Sequence, residues 1–148
     1  MLILALDTSG PTGSAAILDE ENVLSETNWI ASSSHTTELP SRVEKILKEC
    51  GLKISQIEAY GVTIGPGSFT GIRVGLAFVK GLALAGQKPV MGISTLRSLA
   101  LTVPEDGFIS PWLDARREEV YGALFERKKD ELKMIVEEGR EKAMGEFN

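Results

Sequence analysis

The chain opens with five apolar residues, Leu2 to Leu6, that run into Asp7 and a cluster of turn-formers, Thr8-Ser9-Gly10-Pro11. An apolar run that short, cut off by turn chemistry, predicts a buried strand over residues 2–6 rather than a helix. Residues 13–18 predict a second strand, Asp19-Glu20-Glu21-Asn22 a hairpin turn, and residues 23–29 a third strand. The opening is therefore an antiparallel meander whose first strand ends on an acid. The period then changes. Leu39, Val43, Ile46, Leu47 and Cys50 recur at helical spacing and predict a helix over 36–50, with Pro40 in its first turn and a cap at Thr36 or Thr37. Ile57 to Ile64 reads as a strand, 70–86 as a second helix, and Pro89 to Ile93 as a short strand, after which Ser94 caps a third helix through Ala100. Phe108 to Leu113 and Val120 to Phe125 read as strands, and Leu132 to Val136 as a last edge strand. The final dozen residues are charged and read as a frayed helix or tail, and no internal repeat is evident.

Three antiparallel strands followed by strand–helix alternation predict a mixed sheet with helices packed on it. That is one half of an actin-like, ribonuclease H-like nucleotide-binding architecture (the ASKHA group). An open doubly wound domain fits less well, because a hairpin and not a helix follows the first strand.

Advancing 100° per residue along helix 70–86 puts Ile72, Gly75, Leu76, Val79 and Ala83 on one side, facing the sheet. Val74, Ala77, Phe78, Gly81 and Ala85 fall roughly opposite, where a solvent face should be polar. Arg73 and Lys80 fall on a narrow stripe between. The helix is expected to pack against two layers. The second layer is either helix 36–50 or a partner protein.

At 148 residues and 43% apolar content the chain can bury one core. Its net charge of -5 argues against a general nucleic-acid footprint. The charge is uneven, however: residues 51–100 carry Lys53, Arg73, Lys80, Lys88 and Arg97 against Glu58 alone, so a locally basic face is possible. The single cysteine, Cys50, excludes an internal disulfide and a cysteine zinc cluster, and reads as structural. No leader is recognisable and no segment approaches a membrane span, so the expectation is a soluble, cytoplasmic chain.

The stretch Ile64-Gly65-Pro66-Gly67-Ser68-Phe69-Thr70-Gly71 is the strongest candidate for chemistry. A tight glycine turn at a helix start can gather free N–H groups for an anion. Asp7 and Thr8 could face nucleotide phosphates, with Asp7 holding a hydrated magnesium ion, but turn capping explains Asp7 better, and no second hairpin of that kind is seen downstream. Asp7, Thr8, Gly65 and Gly67 are thus weak cofactor candidates. No phosphate-binding loop ending in Gly-Lys-Ser/Thr exists. The one histidine, His35, cannot make a multi-histidine metal site. It could pair with Ser32, Ser33 or Ser34 only in poor geometry, so helix-end capping or surface placement is expected of it. Asp114, Arg116, Arg117, Glu118 and Glu119 form a charged turn whose arginines either meet an anion such as RNA phosphate or pair with neighbouring acids. Tyr121 reads as core edge, and Trp29 and Trp112 as packing residues.

Several segments resemble the bacterial TsaB (YeaZ) family. They are Ile3-Leu4-Ala5-Leu6-Asp7-Thr8-Ser9, His35-Thr36-Thr37-Glu38-Leu39-Pro40, Gly65 through Gly75, Gly81-Leu82-Ala83, Val90 through Leu96 and Asp114 through Tyr121. The likeness runs in order from residue 1 to about residue 125. It implies an actin-like fold and a non-catalytic partner of TsaD in forming N6-threonylcarbamoyladenosine at position 37 of ANN-reading tRNAs. TsaD would carry the transferase centre and its metal, a TsaE-like ATPase would join the assembly, and tRNA would be met through the complex. The resemblance also implies dimerisation, with TsaD or with a second copy, through helices 36–50 and 70–86. On this chain that gives an interface of Arg42, Lys45, Val74, Ala77, Phe78, Gly81 and Ala85, with no catalytic residue, no metal and no cofactor of its own.

Family members are substantially longer and carry a second lobe. The expected organisation is an actin-like lobe over 1–125, then a charged extension or the start of a second lobe over 126–148. Two rivals stay open. One is an ATP-dependent phosphotransferase or acyl-transfer enzyme using Asp7 and the Gly65–Gly71 loop. The other is an independent RNA-binding module, against which the net charge counts.

Overall fold

The computed structural model describes residues 1–20, 22–31 and 35–142. The chain forms two compact units, one of Met1–Ile93 and one that begins at Ser94.

The first unit holds β1 (Leu2–Asp7), β2 (Thr12–Asp19), β3 (Asn22–Ile30), α1 (His35–Glu49), β4 (Ala59–Gly65), α2 (Phe69–Gly86) and β5 (Val90–Ser94), with a 3-10 turn at Ile54–Gln56. Its sheet runs β3-β2-β1-β4-β5. β1 pairs antiparallel with β2 and parallel with β4, and the parallel pair needs a crossover, which carries α1. The register stacks Leu4 beside Ile17 and Tyr60, and Leu6 beside Ala15 and Val62. That row shares one core with Trp29, with Leu39, Val43 and Ile46 of α1, and with Val79 and Ala83 of α2. α1 packs on β2 and β3, α2 on β4 and β1, and the helices touch each other.

The meander, both long helices and the Ser94 cap agree with the sequence pattern. Ser94 accepts the Arg97 N–H at 3.0 Å. Pro40 does not sit in the first turn. The helix already starts at His35, so Pro40 lies inside it, on an exposed side, and removes one backbone bond toward Thr36. The expectation that no segment approaches a membrane span fails for α2, which by length and composition alone (18 residues, mean hydropathy 1.4) would suffice to cross one. Here it buries Gly71, Gly75, Val79 and Ala83 within the first unit.

The second unit holds α3 (Thr95–Leu101), β6 (Gly107–Ile109), β7 (Trp112–Arg116), β8 (Glu119–Lys128) and β9 (Glu131–Lys142). β8 is central. β6 and β7 pair with separate stretches of it, and β9 pairs along the whole of it. α3 covers β8, and Leu96, Ala100, Ile109, Ala123, Phe125 and Leu132 form a second core. The strand expected over Phe108–Leu113 is two strands, broken at Ser110-Pro111, because proline has no N–H to donate to a ladder. The edge strand is longer than expected, so residues 137–142 continue β9 and are neither helix nor tail, while 143–148 lie outside the described residues. The boundary expected at 125/126 falls inside β8, and the compact units divide at Ile93/Ser94 instead.

Candidate functional site

The turn after β1 is closed on itself. Asp7 Oδ1 accepts the Ser9 N–H at 2.7 Å and the Thr63 hydroxyl at 2.7 Å, tying the turn to β4. Thr8 is fully buried, and its hydroxyl donates to the Gly71 carbonyl at 2.7 Å. The Ser68 N–H donates to the Ser9 carbonyl at 2.6 Å. Gly67, Gly71 and Gly75 then explain themselves. A Cβ on Gly67 would collide with the Ser9 carbonyl, one on Gly71 with the Thr8 carbonyl, and one on Gly75 with the Thr8 hydroxyl. These three glycines let α2 approach the end of β1.

The helix start is likewise engaged: Ser68 Oγ accepts the Gly71 N–H at 3.2 Å and the Ser68 carbonyl accepts the Ile72 N–H at 2.9 Å. Of the weak cofactor candidates, Thr8 and Gly67 are therefore consumed by packing. Gly65, at φ +110, forms a turn against Ile72. Among the described residues no three His, Cys, Asp or Glu side chains gather as a metal cluster.

The opposite side of α2 is open. Ala77, Gly81 and Ala85 are exposed, as are Leu84 (83%) and Phe69 (67%). The Arg73 guanidinium lies 3.7 Å from the centroid of the Phe69 ring. Val74 and Phe78, expected on the same face, are half-buried and pack against the first unit's own core. The second layer over α2 is thus partly internal. On α1, Arg42 pairs with Glu38 at 2.9 Å and Lys45 with Glu49 at 3.7 Å, one turn along in each case. Gly81 is the informative residue of this face. A glycine inside a helix costs about 1 kcal/mol relative to alanine. At Gly71 and Gly75 packing requires it, whereas a Cβ at Gly81 would meet nothing within 4 Å.

His35 is not a surface residue. It is buried, with Nε2 2.8 Å from the Gly10 carbonyl and its ring edge-on to buried Trp29 at 5.9 Å. Ser32, Ser33 and Ser34 lie outside the described residues. Cys50 packs against the first core. Trp112 is not a packing residue: it is half-exposed, with Nε1 donating to Ser110 Oγ at 2.7 Å.

A second Asp-ended hairpin does occur downstream. Asp114 Oδ1 accepts the Arg116 N–H at 2.7 Å, the same two-residue reach as Asp7 to Ser9. β7, β8 and β9 repeat the antiparallel meander of β1, β2 and β3. The turn residues Arg116, Arg117 and Glu118 take φ of 64°, 54° and 62°, left-handed values usually left to glycine or asparagine. The charged turn between two strands is readable in the sequence, whereas its left-handed loop is not, because no glycine marks it. The Leu113-Asp114 pair, repeating Leu6-Asp7 inside a strand pattern, was the available signal.

The family model described as "TsaD: tRNA N6-adenosine threonylcarbamoyltransferase" matches residues 27–144. The chain is 36% identical over 137 residues to the Bacillus subtilis tRNA threonylcarbamoyladenosine biosynthesis protein TsaB, covering 92% of this chain and 60% of that one. It therefore spans about three-fifths of the length of that curated relative. YeaZ from Pseudomonas aeruginosa superposes with a TM-score of 0.85 at 31% identity, over 95% of this chain and 67% of that one. A ROK hexokinase from Thermus thermophilus, at TM-score 0.53 and 19% identity over 84% of this chain and 46% of that one, shares the fold alone.

Proposed function

The chain belongs to the TsaB/YeaZ family and has its actin-like fold, and on that premise we propose that it is a non-catalytic docking subunit that supports a TsaD-type transferase in threonylcarbamoyladenosine biosynthesis on tRNA. The observation that carries this reading is Gly81, a glycine in the middle of α2 with open space above it. Its helix-propensity penalty is not offset by any packing among the described residues. Close approach of a partner backbone supplies the missing reason, and Ala77 and Ala85, one turn to either side, keep the same strip low. The exposed apolar arc around them suits a buried interface centre.

In this reading the transferase chemistry, its metal and any ATP belong to partner subunits of TsaD and TsaE type. Contact with tRNA is made through the complex, in the cytoplasm. Self-association through α1 and α2 is the state expected when the partner is missing. The Asp7 turn serves as the fixed base from which α2 projects.

Gly81→Arg tests the proposal. The site has room for the side chain, so the variant should melt no lower than wild type, yet it should fail to co-purify with the cognate TsaD-type subunit and fail to support tRNA modification with it. Wild-type capture by the folded Gly81→Arg protein would falsify the docking role.

A further inference from the structure

We infer that α2 also selects its partner by charge: Arg73 and Lys80, with Phe69 beneath Arg73, fit a TsaD-type surface whose apolar contact area is bordered by carboxylates. This rests on the docking role just proposed and specifies the chemistry of that partner's surface. At 100° per residue the exposed arc of α2 reads, in order, Phe69, Lys80, Arg73, Leu84, Ala77, Thr70, Gly81, Ala85. Both charges are cations, they sit together at one margin, and the helix from Phe69 to Gly86 contains no aspartate or glutamate.

The cations of the two helices differ in kind. On α1, Arg42 and Lys45 are neutralised by Glu38 and Glu49 of the same helix. On α2 neither Arg73 nor Lys80 meets a carboxylate among the described residues. Arg73 instead lies over the Phe69 ring. That contact holds the guanidinium over the ring without using its N–H groups, which suits a bidentate carboxylate. Lys80 lies two turns further along the same side. Covering this margin with a neutral surface would desolvate two unpaired cations. A second copy of this chain, meeting the same face, would bring the same two cations and no acid on α2. A surface with acids opposite Arg73 and Lys80 gains both the attraction and the faster encounter that complementary charge gives.

The test compares wild type, R73E/K80E and Gly81→Arg for association with the cognate TsaD-type subunit, by sedimentation velocity at low and high salt, after circular dichroism has shown each variant folded. Wild-type association should weaken several-fold as salt rises. R73E/K80E should weaken it by about tenfold or more at low salt, and its own self-association should not fall. Association of R73E/K80E equal to wild type, or wild-type association indifferent to salt, overturns the selector. If R73E/K80E binds normally while Gly81→Arg does not, docking stands and the selector alone is lost. If wild type captures no transferase subunit at either salt, the docking role itself falls.

Discussion

α2 carries glycines on two faces, and they do opposite things. On the inner face Gly71 and Gly75 are there because Thr8 occupies the space a side chain would need. On the outer face Gly81 has open space above it. The same residue type is thus a packing requirement on one face and an unrepaid helix penalty on the other. Counting glycines along the sequence gives no way to tell these apart; asking what a Cβ would touch does.

Substitutions can break that contrast. The largest effect belongs to Gly71→Ala. Its Cβ would run into the Thr8 carbonyl, a backbone atom that cannot swing away, so thermal or urea unfolding should show a loss of about 3 kcal/mol. Thr8→Val keeps the shape but removes the hydroxyl that donates to Gly71, whose carbonyl keeps only its helical bond, and should cost about 1 kcal/mol in the same measurement. Gly81→Ala should move stability the other way, by up to about 1 kcal/mol, while weakening capture of the transferase subunit. A destabilised Gly81→Ala protein would remove the distinction between the two faces. The smallest change concerns the second hairpin: Arg117→Gly relieves a left-handed residue and should stabilise by about 0.5 kcal/mol.

The two Asp-ended turns extend the lesson. Both use a carboxylate to hold the N–H two residues on. The first is built from small residues and disappears under α2. The second puts Arg116, Arg117 and Glu118 in solvent, a two-residue hairpin loop at Arg117-Glu118 with positive φ at both positions. Its Arg116 and Arg117 side chains meet no acid of the turn among the described residues, although Asp114 and Glu119 are close in sequence. Asp114 is taken by its own backbone, and Glu119 pairs with Arg140.

Much of the first unit was legible in the sequence because its signals are local. A short apolar run closed by Asp7 and helical spacing from Leu39 to Leu47 each report on a handful of neighbours. The misreadings share one cause. Whether His35 is covered, whether Trp112 is open, and whether Val74 and Phe78 point outward depend on residues far away in the chain. The glycines of the central motif were visible, but their role was not, because the atom that explains Gly71 lies on Thr8. Pro40 inside α1 is a different case: burial of Leu39, Val43 and Ile46 outweighs one missing backbone bond.

The Thr8–Gly71 contact also sets an order of events. The hydroxyl and the carbonyl it meets are separated by 63 positions. During synthesis the meander is made before α2, so even with α1 on β2 and β3 the side of β1 that α2 covers stays open until the start of that helix has emerged. Contacts of such long sequence separation form late and slowly. The unfinished sheet is accordingly the species most exposed to aggregation or to a chaperone, and the moment α2 docks marks the end of that exposure.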